Sequence, residues 1–519
     1  MSTLALSAII ALARAGSLDH AWAAFVAAGY DRTSDDPAAL AVKGRLLKDR
    51  ALRARGEERR RFYLQSAESY RQSAALQPGT YPLINAATLS LLSGDHAMAE
   101  AIAREVLGRI GRDPDEPETP YWKAATEAEA LLLLGRRDEA EGALRRAIAV
   151  APRAWEDHAS TLRQFLAIHE AAALDSSWLA MLRPPRAVHY VGRQAPAGDA
   201  SSLEREIGDF LEERRCGFGF GALAAGGDLL CAEALIDREL PLHVVLPSDP
   251  VSYAAAFVDP FGEAWRRRFD AALEAAESVE LVRPLGPQPA PRRLALGDEV
   301  ALGAALLHGE RMMSEAVQLV IGSEESPASP RAARTLLGNG QAIAPRPAGS
   351  EPSVERAPVM LIALLALSVG RADDPGFEAR LEAVRNLIEP TRDAPIAPHL
   401  SGDCILIGQD APDAAVEAAL RINAHAPAEL GLRIAGHYGF VACVRDPFQG
   451  TLRPTEGGAE MVRAIAAATP PGTVCVSHDL AAVIAARVDE RSGANWIGEL
   501  QALDGGPAIG LYAVSGRAS

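Results

Sequence analysis

The chain has 519 residues and a formal net charge of −16, from 52 Lys and Arg against 68 Asp and Glu. A surface this acidic repels polyanions, which excludes a general nucleic-acid-binding role but leaves room for one small phosphorylated ligand. The length predicts three or four domains, and 48% hydrophobic residues with only 5% aromatics predicts Ala- and Leu-rich, helix-dominated globular ones.

The first residues, MSTLALSAIIALARAGSLDHAW, lack the basic leader of a signal peptide. Their apolar positions follow an i, i+3, i+4 pattern that continues past Gly16, which predicts a helix pair. No uninterrupted run of 18 apolar residues occurs elsewhere, so no membrane span and a cytoplasmic location are expected. Cys216, Cys231, Cys404, Cys443 and Cys475 form no CxxC pair and are expected to be buried free thiols.

Residues 1–178 carry a degenerate helical repeat. The segments 81–107 and 121–148 align with Tyr81 on Tyr121 and Gly94 nearly on Gly135, while Pro78 and Pro152 close two successive units. Gly16-Ser17-Leu18-Asp19 repeats the same small-residue turn. Each amphipathic helix pair leaves an apolar face that only a neighbouring pair can cover, so the array is expected to stack as a solenoid. Ala87, Ala125 and Ala140 stand where helices must approach closely. The pattern resembles the tetratricopeptide repeat, which implies either a rigid spacer or a concave groove for a protein partner.

Residues 186–348 read as an α/β segment. A strand at 187–192 precedes a helix at 202–214, and CGFGFGALAAGGDLLCAEALIDRELPLHVVLPSD (216–249) gives strand, glycine loop, helix and strand. That order is the sequence form of a parallel βαβ unit. It resembles the Rossmann-like SLOG superfamily, in which two glycine loops line a nucleotide-related ligand site. The resemblance implies ligand contacts from Gly192, Arg193, Gly221, Gly226, Gly227, Asp228 and Glu233. Glycine N–H groups at a helix start can hold an anion, and Asp228 can accept from a ribose hydroxyl. The alternative is that Gly226 and Gly227 merely permit a tight turn and Asp228 favours the helix N-terminus. Later strands are expected at 316–323 and 341–345, with a loop at 325–333. The P-G-G-x-G-T-x-x-E signature of the ribose–base hydrolases is absent from the sequence. Breaks are expected at RPPR (183–186) and in the Pro-, Gly- and Ser-rich segment 345–356.

Residues 354–519 begin with the strand-like run VMLIALLAL (359–367). They continue through Gly402-Asp403, LRIAGHYGFV (432–441) and RDPFQGTLRPTEGGAEMVRAIAAATPPGTVCVS (445–477). In order and spacing these resemble landmarks of the class III adenylate/guanylate cyclase domain. The resemblance implies an α+β domain with a ferredoxin-like core, two carboxylates holding two metal ions, and an Asn and an Arg acting from a partner subunit. Asp403 stands where the second carboxylate belongs, either as a residual ligand for Mg or Mn or as a hairpin-turn residue. No Asp or Glu occurs between Pro358 and Arg371, although an active enzyme needs one near Leu364. Glu460 replaces the Asn and Ala464 replaces the Arg, with Arg463 one residue off, about 100° around a helix. His399 lies where a purine-reading Lys is common, and His437 is expected to be a packing residue.

Two-metal chemistry needs both ions clamped on the reacting oxygens, and a phosphoryl-stabilising Arg is worth roughly 10³–10⁵ in rate. The expectation is therefore a cytosolic signalling protein containing a silent cyclase domain, with no certain cofactor, a possible nucleotide-like ligand, and pairing as a homodimer or heterodimer. The domain order matches a bacterial multidomain cyclase family. The rivals are an active cyclase using non-standard residues and a pure protein-interaction scaffold. No Ser–His–Asp order, HExxH, GxxxxGK[ST] or paired-Cys zinc pattern is visible in the sequence.

Overall fold

The computed structural model describes residues 5–77, 79–112, 119–192, 200–282, 290–322, 327–337, 359–371, 373–488, 493–501 and 508–515. Arg193, the expected strand at 341–345 and the expected linker at 345–356 lie outside them. The chain forms two compact units. One reaches to Pro184 and includes Arg311–Met313; the other runs from Pro185 onward.

The first unit is built of helix pairs: α1 (Leu6–Arg14) with α2 (Leu18–Ala27), α3 (Pro37–Arg53) with α4 (Gly56–Leu76), and α5 (Thr80–Leu92) with α6 (His96–Arg112). α7 (Pro120–Leu133) and α8 (Arg137–Val150) make a further pair, followed by α9 (Trp155–Ala171). Gly16, Gly94 and Gly135 turn three of these pairs at φ of 84°, 87° and 72°, a region costly for any residue with a Cβ. Pro37 and Pro120 open α3 and α7 behind the capping side chains of Asp36 and Thr119. Gly44 lets α3 and α4 close up, because a Cβ there would lie 2.8 Å from the Tyr70 ring.

One helix from each of four successive pairs or half-pairs meets around a buried polar network. Lys48 of α3 donates to Gln164 of α9 at 3.0 Å. Gln164 and Thr88 of α5 both donate to the Glu129 carboxylate of α7, at 3.2 and 2.5 Å. Burial pushes Lys48 down and Glu129 up in pKa. The network ties α3, α5, α7 and α9 to one another through buried polar side chains.

The second unit holds two sheets. The first contains β1 (Arg186–Val191), β2 (Cys216–Gly221), β3 (Leu242–Leu246), β4 (Ser278–Leu281), β5 (Ala316–Ile321) and β6 (Ala333–Leu337). All pairings are parallel, in the order β4-β3-β2-β1-β5-β6. Helices α10 (Ala200–Glu213), α11 (Gly227–Ile236), α12 (Pro250–Phe257), α13 (Glu263–Ala275) and α14 (Ala290–Arg311) connect the strands. α10, α11 and α13 contribute to a core around Val188, Tyr190, Val317 and Leu319 on one face. β6 begins where the sequence had suggested a loop. The sheet reverses its strand order between β1 and β5, the position at which open α/β sheets form a crevice beyond their strand ends.

The second sheet contains β7 (Val359–Ser368), β8 (Ile396–Ser401), β9 (Cys404–Gln409), β10 (Arg433–Arg445), β11 (Leu452–Pro454), β12 (Thr473–Ser477), β13 (Ala494–Leu500) and β14 (Ile509–Val514). Its helices are α15 (Phe377–Ile388), α16 (Pro412–His425), α17 (Glu456–Ala468) and α18 (His478–Arg487). From β7 through α15, β8, β9 and α16 to β10 the chain is βαββαβ. The antiparallel order β10-β7-β9-β8 is that of a ferredoxin-like core. α17 packs on Ile362, Leu364 and Ala366 of β7. α18 lies on the opposite face, where a Cβ on Gly436 would meet Leu480 and Leu365.

Candidate functional site

At the carboxyl end of β1 the chain closes on itself. Gly192 and Gly227 touch so nearly that a Cβ on Gly227 would lie 2.7 Å from the Gly192 carbonyl, and one on Gly192 would lie 2.7 Å from Ile321. Gly226, at φ 114° and ψ −133°, takes a backbone conformation that only glycine adopts readily. Gly221 backs onto Tyr190. The glycines are required by the turn and by the helix–strand approach.

Asp228 is 1% exposed. Its carboxylate accepts the N–H of Gly192 at 2.6 Å and that of Ala224 at 3.2 Å, while its own N–H donates to the Gly192 carbonyl at 3.0 Å. Both carboxylate oxygens thus hold the β1 end and the glycine loop together, which is the structural alternative to the expected ribose contact. Glu233 lies further along α11. Its carboxylate is clasped by Arg268 of α13, through Nε at 2.6 Å and through Nη2, and that guanidinium lies 4.3 Å from the Trp265 ring centre. The sequence brings Gly192, Gly226, Gly227 and Asp228 together as expected, as a structural clasp.

In the second sheet, Gly402 (φ 60°) and Asp403 form the tip of the β8–β9 hairpin, and Ser368 at the end of β7 pairs with Cys404 beside that tip. β7 therefore ends next to Asp403 and offers no carboxylate. The first charge beyond it is Arg371. Its Nε lies 3.0 Å from Asp373 and its backbone N–H donates to Asp374 at 2.8 Å. The guanidinium is held in its charged form first by Asp373 and then by the Asp403 carboxylate. The Asp373 and Asp374 carboxylates that follow β7 are both engaged by Arg371, through its guanidinium and its backbone N–H. Among the described residues no group of three or more His, Cys, Asp or Glu is arranged for a metal.

Arg463 of α17 reaches this hairpin too, with Nη1 3.4 Å from the Ser401 hydroxyl. Glu460 is exposed on the same helix and Ala464 is half-buried. His399 bonds the Ala397 carbonyl at 3.0 Å, and burial lowers its pKa, so the ring is neutral near pH 7. His437 packs inside, bonded to Ser477 at 2.9 Å, with burial lowering its pKa to about 4. Arg371 was missed in the sequence; its one signal is that it is the first charged residue after an uncharged strand. All five cysteines are buried and unpaired, and burial pushes the Cys216 thiol up to about 12. Among the described residues no helix is long and apolar enough to cross a membrane.

Residues 4–90 match the family described as TPR-S, Tetratricopeptide Repeats-Sensor. No curated protein matches the chain. Among solved structures, an adenylate cyclase from Trypanosoma brucei in its monomeric state is similar, at 15% identity over 30% of this chain and 90% of that one, with a TM-score of 0.25. The adenylyl cyclase CyaB from P. aeruginosa is 14% identical over 31% of this chain and 97% of its own, with a TM-score of 0.25. An adenylate/guanylate cyclase/hydrolase from Silicibacter pomeroyi is 21% identical over 31% of this chain and 100% of its own, also with a TM-score of 0.25.

Proposed function

We propose that this chain is a cytosolic signalling protein in which a cyclase-like module has lost its chemistry and serves as a pairing surface. The observation that carries this reading is β7: the strand that ends beside the Asp403 hairpin has no Asp or Glu from Val359 to Ser368. Two-metal chemistry needs both ions held by carboxylates, and the apolar side chains of β7 offer them no oxygen ligand. Glu460 and Asp403 add negative charge where a triphosphate would lie, which opposes substrate binding.

The sequence landmarks at 402–403, 432–441 and 445–477, together with the βαββαβ order, support the cyclase ancestry. Repeats resembling tetratricopeptides support a protein partner. For the parallel sheet we propose a SLOG-like module that senses a nucleotide-like ligand in the crevice where strand order reverses. The residues marking that crevice are Gly192 after β1 and Gly322 after β5.

The test is direct. Purified full-length protein given ATP or GTP with Mn²⁺ should form no cyclic nucleotide above a buffer blank. Turnover that disappears in Asp403→Ala would overturn the silent reading. Thermal stabilisation by none of a panel of nucleotides would remove the sensor part and leave a scaffold.

A further inference from the structure

The chain is acidic as a whole, but its charge is unevenly placed. The 19 residues 43–61, from the middle of α3 into α4, hold nine Lys or Arg against three Asp or Glu. That local surplus leaves a net charge of −22 on the other 500 residues. Five of the arginines, Arg53, Arg55, Arg59, Arg60 and Arg61, are exposed around the turn between the two helices.

Three of these guanidinium groups are held in place by backbone carbonyls. Arg53 donates through Nη2 at 2.7 Å to Gly16, just past the end of α1. Arg59 donates through Nε at 2.8 Å to Ala54, the residue that closes α3. Arg60 donates through Nε at 2.8 Å to Ser93, the residue that closes α5. Each carbonyl ends the first helix of its pair, so the cations follow one edge of the repeat. A cation on a helix end is stabilising in itself. It uses one of the five donors of a guanidinium, however, and a neutral carbonyl anchors the group without cancelling its charge. At the corresponding turn after α7 the charge is cancelled, because Arg136 bonds Glu139 at 2.7 and 2.5 Å.

The acids of the segment offset only part of the surplus. Glu58 lies 3.6 Å from Arg61, and Asp49 sits among Arg45, Lys48 and Arg53. Apolar surface runs beside the row. Leu52, next to Arg53, is 61% exposed, and Leu64, one turn on from Arg60 and Arg61, is 45% exposed. Arg50 lies between the Trp22 and Phe62 rings, 4.9 and 5.0 Å from their centres.

We propose that this edge is where the repeats take their protein partner, and that the partner presents a short acidic segment with apolar side chains among its carboxylates. The proposal rests on the reading that the repeats bind a protein, and adds the place and the chemistry. A planar guanidinium fixed by one donor offers the others to a carboxylate in a two-point fit that an ammonium cannot make. Arginine is also the cation enriched at protein interfaces, where lysine is depleted, and none of the five exposed cations here is a lysine. An extended polyanion, whether nucleic acid or anionic membrane, would bring the acidic remainder of the chain against its own charge. Exposed charges more than about 8 Å apart are largely screened at physiological salt, so a short segment meets the row alone.

Fluorescence anisotropy on the full chain tests this with a labelled peptide of repeating Glu-Glu-Leu and its Lys-Lys-Leu counterpart. The acidic peptide should bind and the basic one should not. Affinity should fall as salt rises from about 0.05 to about 0.3 M, which more than halves the screening length. Combining Arg53→Gln, Arg59→Gln and Arg60→Gln keeps an N–H donor on each side chain and removes three charges. Binding should weaken by about tenfold or more at the lower salt, with the circular dichroism of wild type retained. Equal affinity for the two peptides, or an unaltered affinity in the triple variant, overturns the proposal. Capture by phosphatidylserine vesicles without peptide binding overturns it in favour of a membrane surface. If the triple variant fails to fold, Arg61→Gln, at a side chain 63% exposed, carries the test, and an unchanged affinity overturns the row. A protein that co-purifies equally with wild type and variant overturns this site and leaves the partner reading standing. A wild-type chain that binds neither peptide nor any protein overturns both.

Discussion

His437 lies 5% exposed on β10, bonded to Ser477, with burial holding its pKa at about 4. In the unfolded chain the same ring titrates near ~6.5. Between those values the unfolded state binds a proton that the folded state refuses, so stability falls as pH drops from 6.5 towards 4 and is unaffected by this ring above 6.5. The difference corresponds to about 3 kcal/mol. Denaturant melts of the protein followed by a probe in the second sheet should lose roughly that amount over the interval, and His437→Leu should flatten the loss. An identical acid slope in the variant would assign the effect to other groups. Asp228 teaches the opposite lesson about buried charge. An acidic residue after a glycine loop looks like a ligand contact in one dimension, yet folding brings the N–H of Gly192, 36 positions away in the chain, back to use it. Nothing local in the sequence distinguishes a carboxylate that serves a ribose from one that serves its own backbone.

At the scale of elements, what was legible followed period and punctuation. Gly94 and Gly135 mark real helix ends at positive φ, and the unbroken apolar run at 359–367 is a central strand flanked on both sides. The βαβ order around 216–249 was legible for the same reason. What stayed hidden depended on contacts between distant elements. Lys48, Thr88, Glu129 and Gln164 each read as an ordinary polar position on an amphipathic helix, and only the tight winding of the repeat brings them into one network. Gly303 is a stronger case, since a glycine inside a helix reads as a defect. Replacing it by alanine would stabilise an isolated helix by about 1 kcal/mol. Here the added methyl meets the Ala482 carbonyl, so we expect Gly303→Ala to destabilise the second unit by about 3 kcal/mol, at the upper end of overpacking costs. Equilibrium unfolding decides it, and a gain in stability would show that α14 and α18 are not in backbone contact.

At the scale of the whole molecule, α14 of the parallel sheet occupies the α18 side of the second sheet, and the α17 side carries the β8–β9 hairpin partner Arg463. Exposed apolar side chains cluster on neighbouring elements away from the core: Leu400 on β8 at 51%, Val444 at the end of β10 at 49%, and Phe448 in the β10–β11 loop at 95%. Isolated exposed apolar residues are ordinary, but three on adjoining elements suit a self-complementary contact. Full-length protein should therefore sediment or scatter as a dimer in the micromolar range, and Val444→Asp with Phe448→Asp should return it to monomer. A wild-type protein that remains monomeric would leave pairing to a different chain.

The α14–α18 crossing also bears on how the chain is made. Gly303 leaves the ribosome 184 residues before Arg487, which at roughly 5–20 residues per second is a delay of about ten to forty seconds. For most of that time the face of α14 that meets α18 lacks this partner, although β1 to β6 are complete once Leu337 has been made. The parallel sheet is thus finished by a helix synthesised long after it. The nascent protein passes through a long-lived stage with a greasy helix exposed, when holding factors have their best opportunity to engage it and premature termination does the most harm.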